Sequence, residues 1–156
     1  MGRYPETDTF LWHNENPRGR ITDDCIMRAI AAASGKSWYH IFDDLNILKR
    51  YEARDDKLVM KKYLAEAGWT IRKQPRKDDG TKYTGADFCK WLSANYPNGE
   101  LGSVIADIGG YHIVCIKPTE HGDGINCHYK VLDTWDSAGK CIGNWWTHGK
   151  VDLSPF

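Results

Sequence analysis

The chain has 156 residues, of which 41% are hydrophobic and 12% aromatic, so it is long and apolar enough to bury the core of one domain. Its 21 acidic and 21 basic residues balance, which argues against a nucleic-acid-binding or membrane-surface protein, because both usually carry a basic excess. No segment resembles a secretory signal or a membrane span, and five irregularly spaced cysteines indicate reduced thiols, so we expect a single cytoplasmic domain over residues 1–156.

The N-terminal part of the chain is predicted to be irregular and then helical. The first 20 residues are polar and interrupted by proline and glycine, with one apolar cluster at Phe10–Trp12. The run Cys25–Ser34 is rich in Ala, Ile and Met, and Gly35 stands where a helix-ending glycine is favoured. Three residues before this helix are able to cap it, namely Thr22, Asp23 and Asp24.

The remaining pattern predicts further helices followed by strands. Apolar residues at three- and four-residue spacing indicate helices that begin at Ser37, at Asp55 and at Thr84. Runs rich in β-branched and aromatic residues predict strands, and a glycine-rich loop is expected at 118–124; the strands are 69–72, 101–107, 111–116, 128–135 and 141–146. Helices come first and most strands second, so the predicted fold class is α+β, with N-terminal helices packed on a C-terminal antiparallel sheet.

Cys25 is the candidate nucleophile of the chain. It lies in the first turn of the predicted helix, where unpaired backbone N–H groups and the positive end of the helix dipole favour a thiolate. The thiolate is the reactive form of cysteine. The alternative is that Cys25 is a small core residue, as we expect for Cys89, Cys115 and Cys141 in their apolar surroundings.

His112 and Asp133 are the candidate partners of this cysteine. His112 follows the Gly109-Gly110 turn, and Asp133 lies near the end of the next predicted strand, so antiparallel pairing would bring the two together. In such a set the sulfur attacks, the imidazole takes and returns a proton, and the carboxylate orients the imidazole. Asp136 is the alternative carboxylate, although its position is typical of the first residue of a turn.

Two short segments around these residues resemble the papain superfamily of cysteine peptidases. They are Gly-Gly-Tyr-His-Ile-Val at 109–114 and Val-Leu-Asp-Thr-Trp at 131–135. The resemblance implies that Cys25, His112 and Asp133 are catalytic, and that Trp135 and Tyr111 bind substrate or shield the histidine. The short Cys–His separation is most similar to compact bacterial members, such as the leader peptidases of bacteriocin exporters, and to phage-borne domains.

The resemblance further implies a papain-like fold, an acyl-thioester mechanism and a peptide or protein substrate. Gly19 stands where the family has its oxyanion-hole Gln, so Asn16 or Asn14 would donate there, together with the backbone N–H of Cys25. The expected activity is hydrolysis of a peptide, isopeptide or other amide bond, with acyl transfer open to the same triad. The alternative is an inactive relative that acts as a binding or inhibitory module through an exposed tryptophan surface at Trp135, Trp145 and Trp146.

A zinc site is the rival interpretation of the histidine and cysteine residues. The candidate ligands are His112, Cys115, Cys127 and His128. Residues three apart on a strand face opposite sides of the sheet, and adjacent residues lack the usual ligand gap. We therefore predict neither a metal nor a cofactor. Arg28, on the cysteine helix, is expected to form a structural ion pair with Asp23 or Asp24.

Overall fold

The computed structural model describes residues 4–52, 55–120 and 127–149. Within these ranges, helices and strands confirm the α+β class, and the predicted helices and the strand at 69–72 are present. Among the described residues, no helix combines the length and the apolar character that crossing a membrane requires. The elements in chain order are β1 (Phe10–Trp12), α1 (Cys25–Ser34), α2 (Trp38–Glu52), α3 (Asp56–Glu66), β2 (Trp69–Arg72), α4 (Gly85–Asn95), β3 (Val104–Ile108), β4 (His112–Glu120), β5 (Cys127–Asp133) and β6 (Ile142–His148).

The strands form one mixed sheet in the order β1-β5-β4-β3-β6-β2. The prediction of a purely antiparallel, C-terminal sheet is therefore wrong in two respects. β1 pairs in parallel with β5, with Phe10 opposite Val131, and both edge strands come from the first half of the chain. Segment 10–12 was expected to be irregular because three residues are too few to display a strand's alternation.

The C-terminal ends of β4 and β5 also differ from the prediction. β4 continues to Glu120, so its last residues replace the start of the predicted glycine-rich loop. The rest of that loop, residues 121–124, lies outside the described residues. β5 ends at Asp133, two residues before the predicted end, and this shortening leaves Thr134 and Trp135 in the turn that follows.

Helices cover both faces of the sheet. Residues of α1, α2 and α3 pack with Ile105, Ile113 and Trp146 on one face, and residues of α4 pack with Val104, Ala106 and Trp145 on the other. Successive side chains of a strand point to opposite faces, so each face needs its own apolar residues. Trp145 and Trp146 are each only 1% exposed for this reason, and the predicted tryptophan recognition surface is wrong at both positions.

Helix α1 lies on β4 and carries Cys25 to the start of that strand. Its buried side includes Ala29 and Ala31, whose small side chains allow the helix backbone to approach the sheet. Gly35 ends the helix in the left-handed conformation, at a φ of 75°, and its N–H donates to the carbonyl of Ala31 at 3.0 Å. The predicted end of the helix is confirmed.

Three other cysteines, those whose side chains the structure describes, occupy two kinds of environment. Cys89 and Cys115 are buried as predicted, and burial raises the pKa of the Cys115 thiol to about 12. Cys141 is exposed, contrary to the prediction, because it precedes β6 at a turn instead of pointing into the core. This exposed thiol provides an internal reference for the reactivity of Cys25.

Candidate active site

Cys25 is the first residue of α1 and is partly exposed. The N–H groups of a helix's first turn have no acceptor within the helix, and they give its N-terminus a positive potential. Asp24 occupies the cap position, but its carboxylate accepts no hydrogen bond from a backbone N–H of this turn in the described structure. The backbone N–H groups beside the Cys25 sulfur therefore stay available to a negatively charged ligand.

His112 is the first residue of β4 and faces Cys25. It follows a tight turn in which Gly109 and Gly110 adopt positive φ angles of 67° and 87°, which side chains other than glycine rarely tolerate. Nε2 of His112 lies 2.6 Å from Oδ2 of Asp133. The Cys25 side chain lies close enough to the His112 ring to interact with it and to contribute to the raised pKa of the imidazole. Since Nε2 is engaged by Asp133, Nδ1 is the nitrogen left for the sulfur.

Asp133 ends β5 with a side chain that is only 1% exposed. Its Oδ1 accepts from Nη1 of Arg28 at 3.1 Å and from the backbone N–H of Thr134 at 2.8 Å. Its Oδ2 accepts from Oγ of Ser137 at 2.7 Å in addition to the His112 ring. Burial acts to raise the pKa of Asp133, but these bonds outweigh it and hold the pKa below the ordinary value. Asp133 is therefore a fixed carboxylate.

The environment of His112 favours its protonated form. Burial acts to lower the pKa of the imidazole, yet the hydrogen bond to Asp133 and the negative charge of that carboxylate, together with the neighbouring Cys25 side chain, raise it to about 9. At neutral pH His112 is therefore an imidazolium held between a carboxylate and a sulfur. An acid in this position can supply a proton to a leaving group beside the sulfur.

Trp135 and Tyr111, the two aromatic candidates, occupy different environments. The Trp135 ring is 5.2 Å from the His112 ring, between centroids, and is tilted by 35° against it. It covers the imidazole, as the resemblance implies. Tyr111 is 96% exposed and borders a cavity next to Cys25.

Asn16 and Asn14, the oxyanion candidates, organise the loop before α1. The Asn16 side-chain amide donates to Oδ2 of Asp24 at 3.0 Å, and that of Asn14 donates to the carbonyl of Arg20 at 3.0 Å. Asn16 is thereby held next to the residue that precedes Cys25. Asn14 bonds farther out along the same loop. The position of Asn16 is the one compatible with a role beside the nucleophile.

Arg28 and Ser137 both bind Asp133, and neither of these contacts was predicted. The predicted structural ion pair of Arg28 with Asp23 or Asp24 is confirmed at Asp24, because Arg28 donates from Nε to Oδ1 of Asp24 at 2.7 Å. It also reaches Asp133, far away in sequence, which no local pattern indicates. Ser137 has a weak signal, since it follows Asp133 by four residues within a predicted turn.

A cavity of about 400 Å³ opens beside Cys25, within the range of about 300–1,000 Å³ typical of ligand sites. It lies between α1, α2, α3 and the turn before β4. Two ion pairs border it, Lys49 with Asp56 at 2.7 Å and Lys57 with Asp107 at 2.6 Å. Its apolar lining consists of Ile26, Met27, Phe42, Leu45 and Val59.

Within the described ranges, no group of three or more His, Cys, Asp or Glu side chains could hold a metal ion. No protein-family model, curated protein or solved structure matches the chain. The chemistry of the site therefore follows from its own residues and geometry.

Proposed function

We propose that the protein is a cysteine hydrolase that cleaves a peptide, isopeptide or related amide bond. The observation that supports it best is the continuous contact from the Cys25 sulfur through His112 to the buried Asp133. A helix N-terminus beside the sulfur and a protonated imidazole next to it are the two features that activate a cysteine. Both are present at Cys25.

In the proposed acylation step, the Cys25 thiolate attacks the substrate carbonyl carbon. The carbonyl oxygen becomes negatively charged and is stabilised by the backbone N–H of Cys25, with Asn16 as the side-chain candidate. The C–N bond then breaks as the His112 imidazolium gives its proton to the leaving amine. The products of this step are a free amine, a neutral imidazole and an acyl thioester on Cys25.

In the proposed deacylation step, water attacks the thioester and His112 takes its proton. The carbon–sulfur bond breaks, the acid product leaves, and the thiolate–imidazolium pair is restored. An amine in place of water would give acyl transfer by the same chemistry. Asp133 stays ionised throughout and holds the imidazole in position.

The cavity favours an apolar side chain on the acyl part of the substrate. Phe42, which is 39% exposed, forms part of its wall and stacks on Trp38 at 5.0 Å between ring centroids. Phe42→Ala is expected to slow labelling of Cys25 by a phenylalanyl chloromethyl ketone about tenfold, since burying an aromatic side chain is worth about 1.5–3 kcal/mol. Labelling by chloroacetamide should not change. Tyr39→Ala, an exposed aromatic of the same helix outside the cavity, is the matched control.

The triad is tested by alkylation with chloroacetamide, read at each cysteine by peptide mass spectrometry. Cys25 should react faster than the exposed Cys141 at pH 6, where an ordinary thiol is almost fully protonated. His112→Ala should slow the reaction of Cys25 and leave that of Cys141 unchanged. Equal rates at the two cysteines, insensitive to His112, would refute the proposed nucleophile.

The second candidate function is an inactive binding module. Two observations favour it. Gly19 stands where the papain superfamily has its oxyanion-hole Gln, and the side-chain amide of Asn16 already donates to Asp24. The same alkylation experiment separates the two functions, because a binding module has no need of an activated Cys25. A slow Cys25 in a chain that still binds a peptide would favour this candidate.

A further inference from the structure

Arg28 connects the nucleophile helix to the carboxylate of the triad. Its side chain is 10% exposed and forms two ion pairs, Nε with Asp24 at 2.7 Å and Nη1 with Asp133 at 3.1 Å. A buried arginine needs partners for its charge, but a partner on its own helix turn would have sufficed. The second bond joins α1 to the end of β5, and so joins the element that carries Cys25 to the residue that orients His112.

The two oxygens of the Asp133 carboxylate accept hydrogen bonds from different donors. Arg28 and the N–H of Thr134 occupy Oδ1, while His112 and Ser137 occupy Oδ2. Without Arg28, Oδ1 would keep only the N–H of Thr134, so fewer bonds would oppose rotation of the carboxylate, and this rotation would move Oδ2 away from the imidazole. With the guanidinium on Oδ1, rotation breaks a charge-assisted hydrogen bond.

Asp24 is the second carboxylate with which Arg28 forms an ion pair. A carboxylate immediately before Cys25 opposes negative charge on the sulfur. Three donors compensate the negative charge of this carboxylate. Arg28 donates to Oδ1, and Asn16 and Trp38 donate to Oδ2 at 3.0 and 2.9 Å. Arg28 is the one cation among them.

We propose that Arg28 is the positioning residue of the triad, which fixes the Asp133 carboxylate so that Oδ2 stays directed at His112. The proposal rests on the proposed function of the site, since only a working Cys–His pair requires this orientation. Arg28 does not touch the substrate in this scheme. It acts through Asp133, and its effect is therefore read at His112.

The proton affinity of His112 distinguishes positioning from two other roles. If Arg28 holds Asp133 in place, its removal weakens the His112–Asp133 bond and lowers the pKa of His112. If Arg28 acted only through its positive charge, its removal would raise the pKa of His112. If it only supported the fold, the pKa would not change in the folded protein.

The experiment is an NMR titration of the histidine ring carbons, with the His112 resonance assigned by its loss in His112→Ala. Arg28→Met leaves two buried carboxylates short of a partner and is expected to be destabilised. The test therefore also uses the double variant Asp24→Asn/Arg28→Met, which removes both charges of that pair. Asp24→Asn alone retains the Arg28–Asp133 bond and is the matched control.

We expect the pKa of His112 to fall by about one pH unit or more in the double variant, and to stay near the wild-type value in Asp24→Asn. Chloroacetamide labelling of Cys25 at pH 7 should fall about tenfold with it. An unchanged or raised pKa of His112 in the folded double variant would overturn the positioning role. Neither measurement needs substrate turnover, so the absence of hydrolase activity would count against the proposed function and leave this result standing.

Discussion

Removing the charge of Asp133 is expected to change the ionisation of His112 at neutral pH. Burial acts to lower the pKa of His112, yet the hydrogen bond and the charge of Asp133, together with the neighbouring Cys25 side chain, raise it from 6.5 to about 9. This difference corresponds to roughly 3 kcal/mol in favour of the imidazolium, at about 1.4 kcal/mol per pH unit. Asp133 contributes a 2.6 Å hydrogen bond and a full charge. Asp133→Asn retains the shape and loses the charge, so we expect the pKa of His112 to fall to about 7.

The assay is again an NMR titration of His112, combined with the pH dependence of Cys25 alkylation. The exposed neighbour Asp136, whose carboxylate accepts from the backbone N–H of Ala138, supplies the control Asp136→Asn. The control variant should titrate like the wild type. If His112 still titrates near pH 9 in Asp133→Asn, the carboxylate is not what holds its proton, and Asp133 would lose its proposed role as the orienting residue.

The remaining predictions concern pH, the aromatic cover and the fold. His112 binds its proton more tightly in the folded chain than in the unfolded one, so the protonated imidazole stabilises the fold. This stabilisation is complete below pH 6.5 and is lost as the pH rises through about 9. The Tm should therefore fall between these two pH values, and it should fall less in His112→Ala. Trp135→Ala uncovers the His112 ring, and we expect Cys25 labelling to slow about two- to tenfold while the circular dichroism spectrum is retained. A Cβ on Gly85 would lie 2.8 Å from Cδ1 of Ile108, so Gly85→Ala should lower the free energy of unfolding by about 1–3 kcal/mol in urea titrations. Gly139→Ala has open space around its Cβ and should change that energy by less than about 0.5 kcal/mol.

Features specified by neighbouring residues could be predicted from the sequence. The Asp55 side chain caps α3 by accepting from the N–H of Leu58 at 3.0 Å, and the Thr84 side chain caps α4 by accepting from the N–H of Asp87 at 3.1 Å. A capping side chain and the backbone N–H that it binds are only three residues apart, so the sequence alone indicates the cap. The proximity of His112 and Asp133 was predictable for a similar reason, because consecutive antiparallel strands usually pair.

Features that depend on distant partners could not be predicted. The parallel pairing of β1 with β5 joins segments at opposite ends of the chain and leaves no local turn signal. Consecutive strand residues point to opposite faces, so a sheet covered on one face only would expose either Trp145 or Trp146, whereas helices cover both faces of this sheet and bury both rings. The bond from Arg28 to Asp133 likewise exists only once α1 has docked on the sheet.

The charges of the site alternate in sign along one chain of contacts. Asp24 pairs with Arg28, Arg28 with Asp133, and Asp133 with His112, which contacts Cys25. When His112 is protonated and Cys25 is a thiolate, as the proposed mechanism requires, every charge in this series has an opposite charge beside it. Transfer of the proton back to sulfur leaves the net charge unchanged but removes one of the two cationic partners of Asp133, and Arg28 is then the only one of the two that remains. The order of the charges therefore favours the protonated form of His112.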